Sequence, residues 1–185
     1  MIAFFLDPYK CIPLDVVDHL SKVDFKAYQA QGFKTLLIDV DNTLIPYDDR
    51  AFKTWHKTLK KDIKDAGFDV VLVSNNAQGK IETFAELFDT PFIHRAQKPS
   101  RRGFNKALNL INASKETALI IGDQLMTDVY GANRLGAKSI LVRPIHSKTE
   151  KWYTKITRRL ENQMLRRVQK INPDMHEKIM RIHRG

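Results

Sequence analysis

The sequence predicts an α/β protein with a doubly wound parallel sheet, because short apolar runs alternate along the chain with amphipathic helical segments. Five runs are apolar enough for buried parallel strands, and they cover residues 35–40, 69–74, 91–94, 117–121 and 138–142. Segments with helical spacing separate them, at residues 51–66, 78–88, 101–110 and 127–135. Gly67 and Gly136 stand where the C-terminal caps of two of these helices are expected. The alternation is typical of an open sheet with helices on both faces.

The chain has room for one such domain with shorter flanking segments. Of its 185 residues, 43% are hydrophobic and 28% are charged, which excludes a disordered or fibrous protein. We expect an N-terminal segment over residues 1–34 that covers the sheet with short helices at 14–20 and 25–31. The sheet domain then occupies residues 35–146, and a tail occupies residues 147–185.

The tail carries most of the positive charge of the protein. The chain has 31 basic and 21 acidic residues, a net charge of +10, and residues 148–185 alone hold 11 basic and 4 acidic residues, a net charge of +7. Residues 147–170 have the spacing of one basic amphipathic helix that ends before Pro173. Such a helix suits an anionic membrane surface, contacted through residues 147–171, or it docks its apolar face on the sheet domain. The sequence leaves both interpretations open.

Composition also indicates the cellular setting. The single cysteine, Cys11, cannot form an internal disulfide or a cysteine-based metal site, which favours a reducing cytoplasm. Every uninterrupted apolar run is far shorter than the ~20 residues of a membrane-spanning helix. The apolar residues 1–6 lack the basic region of a secretory signal. We therefore expect a cytoplasmic protein, attached peripherally to a membrane if the tail binds one.

The ends of the predicted strands carry the candidate functional residues. Asp39 lies near the end of the first strand, and Asp41 directly follows that strand. Ser74 ends the second strand, and Asp123 comes after the strand at 117–121. Lys98 precedes the helix that leads into that strand. Parallel strands of an open α/β sheet present their carboxyl ends, where ligands bind, at one edge. Acids gathered there repel one another, and a bound divalent cation would neutralise them.

Four motifs in this order resemble those of the haloacid dehalogenase-like (HAD) phosphohydrolases. They are LLIDVDNTLI at residues 36–45, Ser74 at a strand end, Lys98 in KPSRRGF, and GDQLMTD at residues 122–128. Their residues are similar to those of the same motifs in the YqeG-type branch of subfamily IIIA. That branch is similar to phosphatidylglycerolphosphate phosphatases. The resemblance implies a HAD-like Rossmannoid sheet. The predicted elements fill the 33 positions from Asp41 to Ser74 and the 24 from Ser74 to Lys98, so the protein should be capless.

The resemblance also implies roles for single residues. Asp39 is the expected nucleophile, Asp41 the expected acid and base, and Ser74 and Lys98 complete the catalytic set. The expected cofactor is Mg²⁺, with ligands from Asp39, Asp123 and Asp128 and from the main-chain carbonyl of Asp41. Four further residues are expected to contact substrate: Asn42, Asn75, Arg101 and Arg102. The two arginines fit solvent-exposed helix charges almost equally well.

The sequence thus predicts a Mg²⁺-dependent phosphomonoester hydrolase whose open site suits a large or surface-bound substrate. The favoured substrate is a lipid headgroup, with phosphatidylglycerol phosphate converted to phosphatidylglycerol. A nucleic-acid end or a phosphoprotein is the alternative, because a basic tail also attracts a phosphodiester backbone. A non-catalytic receiver-like or RNA-binding module fits less well. The paired acids of a receiver precede its phosphorylated aspartate, whereas Asp39 and Asp41 come first here.

Overall fold

The computed structural model describes residues 6–46, 51–145 and 153–184, with side chains of the last range described for residues 160–182. Its strands are β1 Asp15–Val17, β2 Thr35–Ile38, β3 Asp69–Val73, β4 Phe92–Ile93, β5 Ala118–Gly122 and β6 Lys138–Val142. Its helices are α1 Phe25–Ala30, α2 Thr54–Asp65, α3 Gln78–Phe88, α4 Arg101–Leu110, α5 Tyr130–Leu135, α6 Tyr153–Ile171 and α7 Pro173–Arg184.

The six strands form one sheet in the order β1-β6-β5-β2-β3-β4, and every pair is parallel. Every residue of β2 and β5 is buried, as expected for continuous apolar runs covered on both faces. Ile38 lies opposite Leu72 of β3 and Ile121 of β5, so the three central strands end nearly level. From β2 the chain runs outward through β3 and later returns to β5 on the other side. This reversal marks the switch point where ligands bind in such sheets.

Helices cover both faces of the sheet, which confirms the predicted fold class. On one face, α2 and α3 pack Leu59 and Phe84 into a core with Ile38 of the sheet. On the other face, α4 and α5 pack against alternate residues of the same strands, and Phe104 shares a core with Leu37. Between Asp41 and Ser74 the described chain forms only α2 and β3, and between Ser74 and Lys98 only α3 and β4. The described residues of these two intervals therefore contain no inserted cap.

The N-terminal segment differs in part from the prediction. The helix predicted at 25–31 is present as α1, but the prediction of a helix at 14–20 is wrong. Residues 15–17 form β1, which pairs with β6 so that Val17 lies opposite Val142. Two adjacent β-branched residues, Val16 and Val17, suit a strand, and the exposed edge of β6 provides the pairing partner.

The tail forms two helices where the sequence predicted one. Asn172 separates α6 from α7, and its Oδ1 accepts a hydrogen bond from Met175 N–H at 3.0 Å. Pro173 is the first residue of α7, a position that suits its fixed φ and its missing N–H. The proline that ends the predicted helix therefore also begins the next one. The predicted start of the tail, at 147–152, lies outside the described residues.

The apolar stripe of α6 packs against the rest of the molecule. Met164, Leu165 and Val168 are buried in a cluster with Cys11 and with residues of α7 and of the segment that precedes α5. On the same helix, Arg167 donates a hydrogen bond to the Leu6 carbonyl at 2.7 Å. The described part of the stripe is thus used for docking. No helix in the described part of the chain is long and apolar enough to cross a bilayer.

Candidate active site

A lysine and three buried acids meet at the carboxyl edge of the sheet. Asp39 follows β2, and its N–H donates to the Ile121 carbonyl of β5 at 2.9 Å. Asp39, Asp123 and Asp128 each bring a carboxylate oxygen within 4.8 Å of the other two. Lys98 Nζ lies 2.5 Å from Asp39 Oδ1 and 2.6 Å from Asp128 Oδ1. Four of the residues singled out from the sequence therefore form one cluster, which we call the acid cluster.

Three carboxylates against one ammonium group leave excess negative charge in a buried place. Burial raises the pKa of Asp39 to about 7, with help from Asp128 and against the opposing effect of Lys98. Burial, followed by repulsion from Asp39 and Asp128, raises the pKa of Asp123 well above its usual range. Burial alone would lower the pKa of Lys98, but its contacts with Asp128 and Asp39 outweigh burial and raise it.

These residues fit a divalent metal ion. All the donors are oxygen atoms, which Mg²⁺ and similar hard cations prefer, and three of them are close enough to share one ion. The unbalanced negative charge among the carboxylates is the kind that a bound cation removes. The acid cluster can therefore hold a divalent cation through Asp39, Asp123 and Asp128.

Asp128 reaches the acid cluster through a wide turn and a glycine. It lies on the π-helical turn Leu125–Val129, where Asp128 Oδ2 accepts hydrogen bonds from Gln124 N–H at 3.1 Å and from the Thr127 hydroxyl at 3.3 Å. A Cβ atom on Gly122 would lie 2.4 Å from Asp128 Oδ2, closer than atoms can approach. Only glycine at the end of β5 leaves room for this carboxylate.

The tail supports the same turn. Leu125 N–H, at the first residue of the turn, donates a hydrogen bond to Glu161 Oε1 of α6 at 3.2 Å. The first N–H groups of a helical turn lack partners within the turn itself, so a carboxylate there stabilises it. Helix α6 therefore contacts the segment that carries Asp128.

Asp41 lies beside the acid cluster and is held by three donors. Its Oδ2 accepts hydrogen bonds from the Ser74 hydroxyl at 3.0 Å and from Asn76 Nδ2 at 2.8 Å, and its Oδ1 accepts one from Lys80 Nζ at 3.1 Å. The structure thus brings together Asp41 and Ser74, both singled out from the sequence. The sequence pattern assigned no role to Asn76 or Lys80. The available signal for Lys80 was its place in the first turn of α3, which begins at the edge where the strands end.

The four predicted substrate contacts lie in different surroundings. The Asn75 side-chain amide pairs with the main chain of Lys98, at 2.7 Å and 3.1 Å. Asn42 follows Asp41 with a φ of 60°, in the left-handed region that asparagine tolerates better than most residues. Arg101 and Arg102 are exposed at the start of α4. Their roles toward a substrate stay predictions.

Known proteins are similar to this chain in sequence and in fold. Residues 95–154 match the family model described as HAD-hydrolase-like. The chain is 32% identical over 154 residues to the probable phosphatase YqeG of Bacillus subtilis (strain 168), covering 83% of this chain and 89% of that protein. It is 26% identical over 166 residues to the chloroplastic/mitochondrial phosphatidylglycerophosphate phosphatase 1 of Arabidopsis thaliana, covering 84% of this chain and 47% of that protein. The chain thus spans about half the length of the plant relative.

A solved structure confirms the fold independently. The crystal structure of an uncharacterized protein from Listeria monocytogenes serotype 4b matches with a TM-score of 0.52 at 18% identity, over 64% of this chain and 85% of that chain. The family match contains Lys98, Asp123 and Asp128, and the similarity to YqeG extends over most of the chain. The chain therefore belongs to the haloacid dehalogenase-like phosphatase family that includes YqeG.

Proposed function

We propose that this protein hydrolyses phosphate monoesters through an aspartyl-phosphate on Asp39, with Mg²⁺ as its cofactor. The observation that carries the proposal is the acid cluster. In it, Asp39 contacts the Lys98 ammonium, and its carboxylate lies within 4.8 Å of two further carboxylates. Asp41, two residues away, is held apart from the cluster by its own donors. The nucleophile, the carboxylates that would hold the cation and the acid that would transfer the proton thus lie at one edge of the sheet.

The reaction has two steps. In the first, a carboxylate oxygen of Asp39 attacks phosphorus, the bond from phosphorus to the leaving oxygen breaks, and Asp41 gives that oxygen a proton. In the second, water attacks the phosphorus of the aspartyl-phosphate, Asp41 takes the proton from water, and the bond to Asp39 breaks. The products are an alcohol and inorganic phosphate, and both aspartates return to their starting state.

The remaining groups stabilise negative charge on Asp39 and on the phosphoryl oxygens. Lys98 offsets the negative charge of Asp39 before the attack and that of the transferred oxygens during it. Ser74, whose hydroxyl donates to Asp41, would donate instead to a phosphoryl oxygen of the bound substrate. Mg²⁺ on Asp39, Asp123, Asp128 and the Asp41 carbonyl would supply positive charge to the bound phosphate.

The proposed substrate is phosphatidylglycerol phosphate, and the product phosphatidylglycerol. Its first support is the similarity to a plant enzyme named for that activity. Its second support is the absence of an inserted cap in the described chain, because a cap would enclose the strand ends and exclude a phosphate fixed on a surface. A small metabolite would gain from an enclosed site, whereas a lipid headgroup needs an open one.

Peripheral attachment to an anionic membrane in the cytoplasm is part of this proposal. The apolar face of α6 around Met164 and Val168 is occupied by docking, so attraction through the described tail would be electrostatic. Arg166 and Lys170 are exposed on α6, and each basic group near an anionic surface contributes about 1 kcal/mol. A few such groups suffice for reversible attachment.

The direct test is Mg²⁺-dependent phosphate release from phosphatidylglycerol phosphate in mixed micelles. We expect release by the wild type, none after chelation of Mg²⁺, and none by Asp39→Asn. Asp62→Asn, an exposed residue of α2, is the matched control and should behave like the wild type. Turnover by Asp39→Asn at the wild-type rate would contradict the nucleophile. Release from a nucleic-acid end or a phosphopeptide, but not from the lipid, would contradict the substrate and leave the chemistry in place.

A further inference from the structure

The side chain of Asn75 makes two hydrogen bonds with the main chain of a single residue. Asn75 Oδ1 accepts from Lys98 N–H at 2.7 Å, and Asn75 Nδ2 donates to the Lys98 carbonyl at 3.1 Å. We propose that Asn75 is a positioning residue that fixes the main chain of Lys98 and so holds the Lys98 ammonium between Asp39 and Asp128. The inference rests on the proposed function, in which that ammonium acts on the transferred phosphoryl group.

The loop that carries Lys98 depends on such cross-links. Residues 95–98 form neither helix nor strand, and contacts with the end of β3 and the residues after it determine their path. Arg95 N–H donates to the Asn76 carbonyl at 3.0 Å, and Ala96 N–H donates to the Ser74 carbonyl at 2.9 Å. The two hydrogen bonds of the Asn75 side chain extend this series of contacts to Lys98, which carries the ammonium group.

The backbone of this loop also needs external support. Arg95 and Gln97 have φ values of 47° and 58°, in the left-handed region that residues with a side chain seldom occupy. A backbone persists there when its surroundings hold it in place. Because Lys98 directly follows Gln97, its position depends on contacts made after the left-handed pair, and Asn75 supplies two of them.

An asparagine side chain is chemically matched to this task. Its planar amide offers one acceptor and one donor together, which is what a main-chain N–H and C=O require. An aspartate would keep the acceptor for Lys98 N–H but would face the carbonyl with a second oxygen. A hydroxyl or methyl group at position 75 could not replace both bonds.

Small displacements of Lys98 should change the chemistry. Its Nζ contacts Asp39 at 2.5 Å and Asp128 at 2.6 Å, and a misplacement of about 1 Å at a reacting group costs roughly 10²-fold in rate. The ammonium also competes with a metal cation for the same carboxylates. A loosened Lys98 should therefore lower kcat while metal binding becomes tighter, whereas general damage to the site would weaken both.

The test compares Asn75→Ala with the wild type, and Asn109→Ala, an exposed residue of α4, is the matched control. Kinetics use p-nitrophenyl phosphate at saturating Mg²⁺, and calorimetric titration measures the Kd for Mg²⁺ without substrate. For Asn75→Ala we expect kcat to fall about 10–100-fold, the usual range for a group that orients a catalytic one, with KM near the wild-type value. The Kd for Mg²⁺ should fall as well. The control should match the wild type in all three quantities.

A second pair of variants tests whether Asn75 acts through Lys98. In a Lys98→Met background, Asn75→Ala should leave the Kd for Mg²⁺ unchanged, because the group that it positions is gone. If Asn75→Ala does not fold, Asn75→Asp keeps the acceptor for Lys98 N–H and carries the same test.

An increase in KM at constant kcat would overturn the proposal and identify a substrate contact. Equal changes in Kd in both backgrounds would also overturn it. A wild type that cleaves no phosphate ester would refute the proposed function, and the Mg²⁺ titrations would still test the positioning.

Discussion

Gly122, the last residue of β5, decides how close Asp128 can come to the other acids. A methyl group there would occupy the place of the Asp128 carboxylate, at 2.3 Å from its Cγ. We therefore expect Gly122→Ala to displace Asp128 and to weaken Mg²⁺ binding about 10–100-fold, as for other changes that disturb ligand orientation. Isothermal titration calorimetry measures the affinity directly. Gly79→Ala on α3 is the matched control, because a Cβ atom there meets nothing within 4 Å. Equal affinities for the two variants would contradict this account.

At the same scale, the sequence predicted the charged residues better than their neighbours. Asp39, Asp123 and Lys98 could be predicted because strand ends converge and a charge at the end of an apolar strand needs a partner. Lys80 could not, because the residue that a helix directs toward a strand end depends on how the helix lies on the sheet. Asn75 was predicted to contact substrate. An amide at a strand end can bind a ligand or pair with a main chain, and the sequence alone does not distinguish the two.

At the scale of elements, α6 and the short helical turn Pro8–Cys11 cover each other. Cys11 is fully buried, and burial, followed by the nearby negative charges of Glu161 and Asp7, raises the pKa of its thiol to about 12. Because the thiolate is the reactive form, the native protein should resist alkylation at pH 8. The thiol thus reports on whether α6 stays docked.

Met164→Ala should expose this thiol. Met164 is fully buried in the same hydrophobic cluster as Cys11, and truncation of a buried methionine costs about 2–5 kcal/mol. If that cost falls on the docking of α6, alkylation of Cys11 by iodoacetamide should accelerate at least about tenfold, since about 1.4 kcal/mol corresponds to a factor of ten. Mass spectrometry follows the label over time. Gln163→Ala changes the exposed neighbour, and an equal rate in both variants would show that α6 does not protect the cysteine.

The elements that differ from the prediction depend on distant parts of the chain. The helix predicted at 14–20 is wrong because seven residues are too few for apolar spacing to distinguish a helix from a strand. Their strand partner is β6, more than a hundred residues away, and no local pattern reveals such a pair. The docking of the α6 stripe was one of two open interpretations, because an apolar helix face does not identify the surface that covers it.

At the scale of the whole molecule, we expect the position of the positive charge to matter more for membrane attachment than its amount. Arg166 and Lys170 lie exposed on α6, and Lys57 and Lys64 lie exposed on α2. Replacing either pair by glutamate lowers the net charge from +10 to +6. We expect the α6 pair to weaken binding to phosphatidylglycerol vesicles by about 2 kcal/mol, roughly 30-fold, at about 1 kcal/mol for each basic group lost. The α2 pair should have a smaller effect.

Vesicle cosedimentation measures this binding, and cleavage of p-nitrophenyl phosphate checks that each double variant keeps its active site. Higher salt should weaken binding of the wild type, because ions screen exposed charges. Equal losses for the α6 and α2 pairs would show that only the total charge matters. An unchanged affinity in both would remove the tail from membrane attachment.

The pairing of β1 with β6 also has a consequence for the order in which the chain can fold. Val17 has to wait for Val142, about 125 residues later, before its strand can join the sheet. At a synthesis rate of about 5–20 residues per second, this delay lasts roughly 6–25 s. During that interval, the valines of β1 lie in a nascent chain without the strand that will pair with them. A ribosome-associated chaperone would therefore meet β1 as an unpaired apolar segment, although the same residues form the edge of the sheet once β6 has been synthesised.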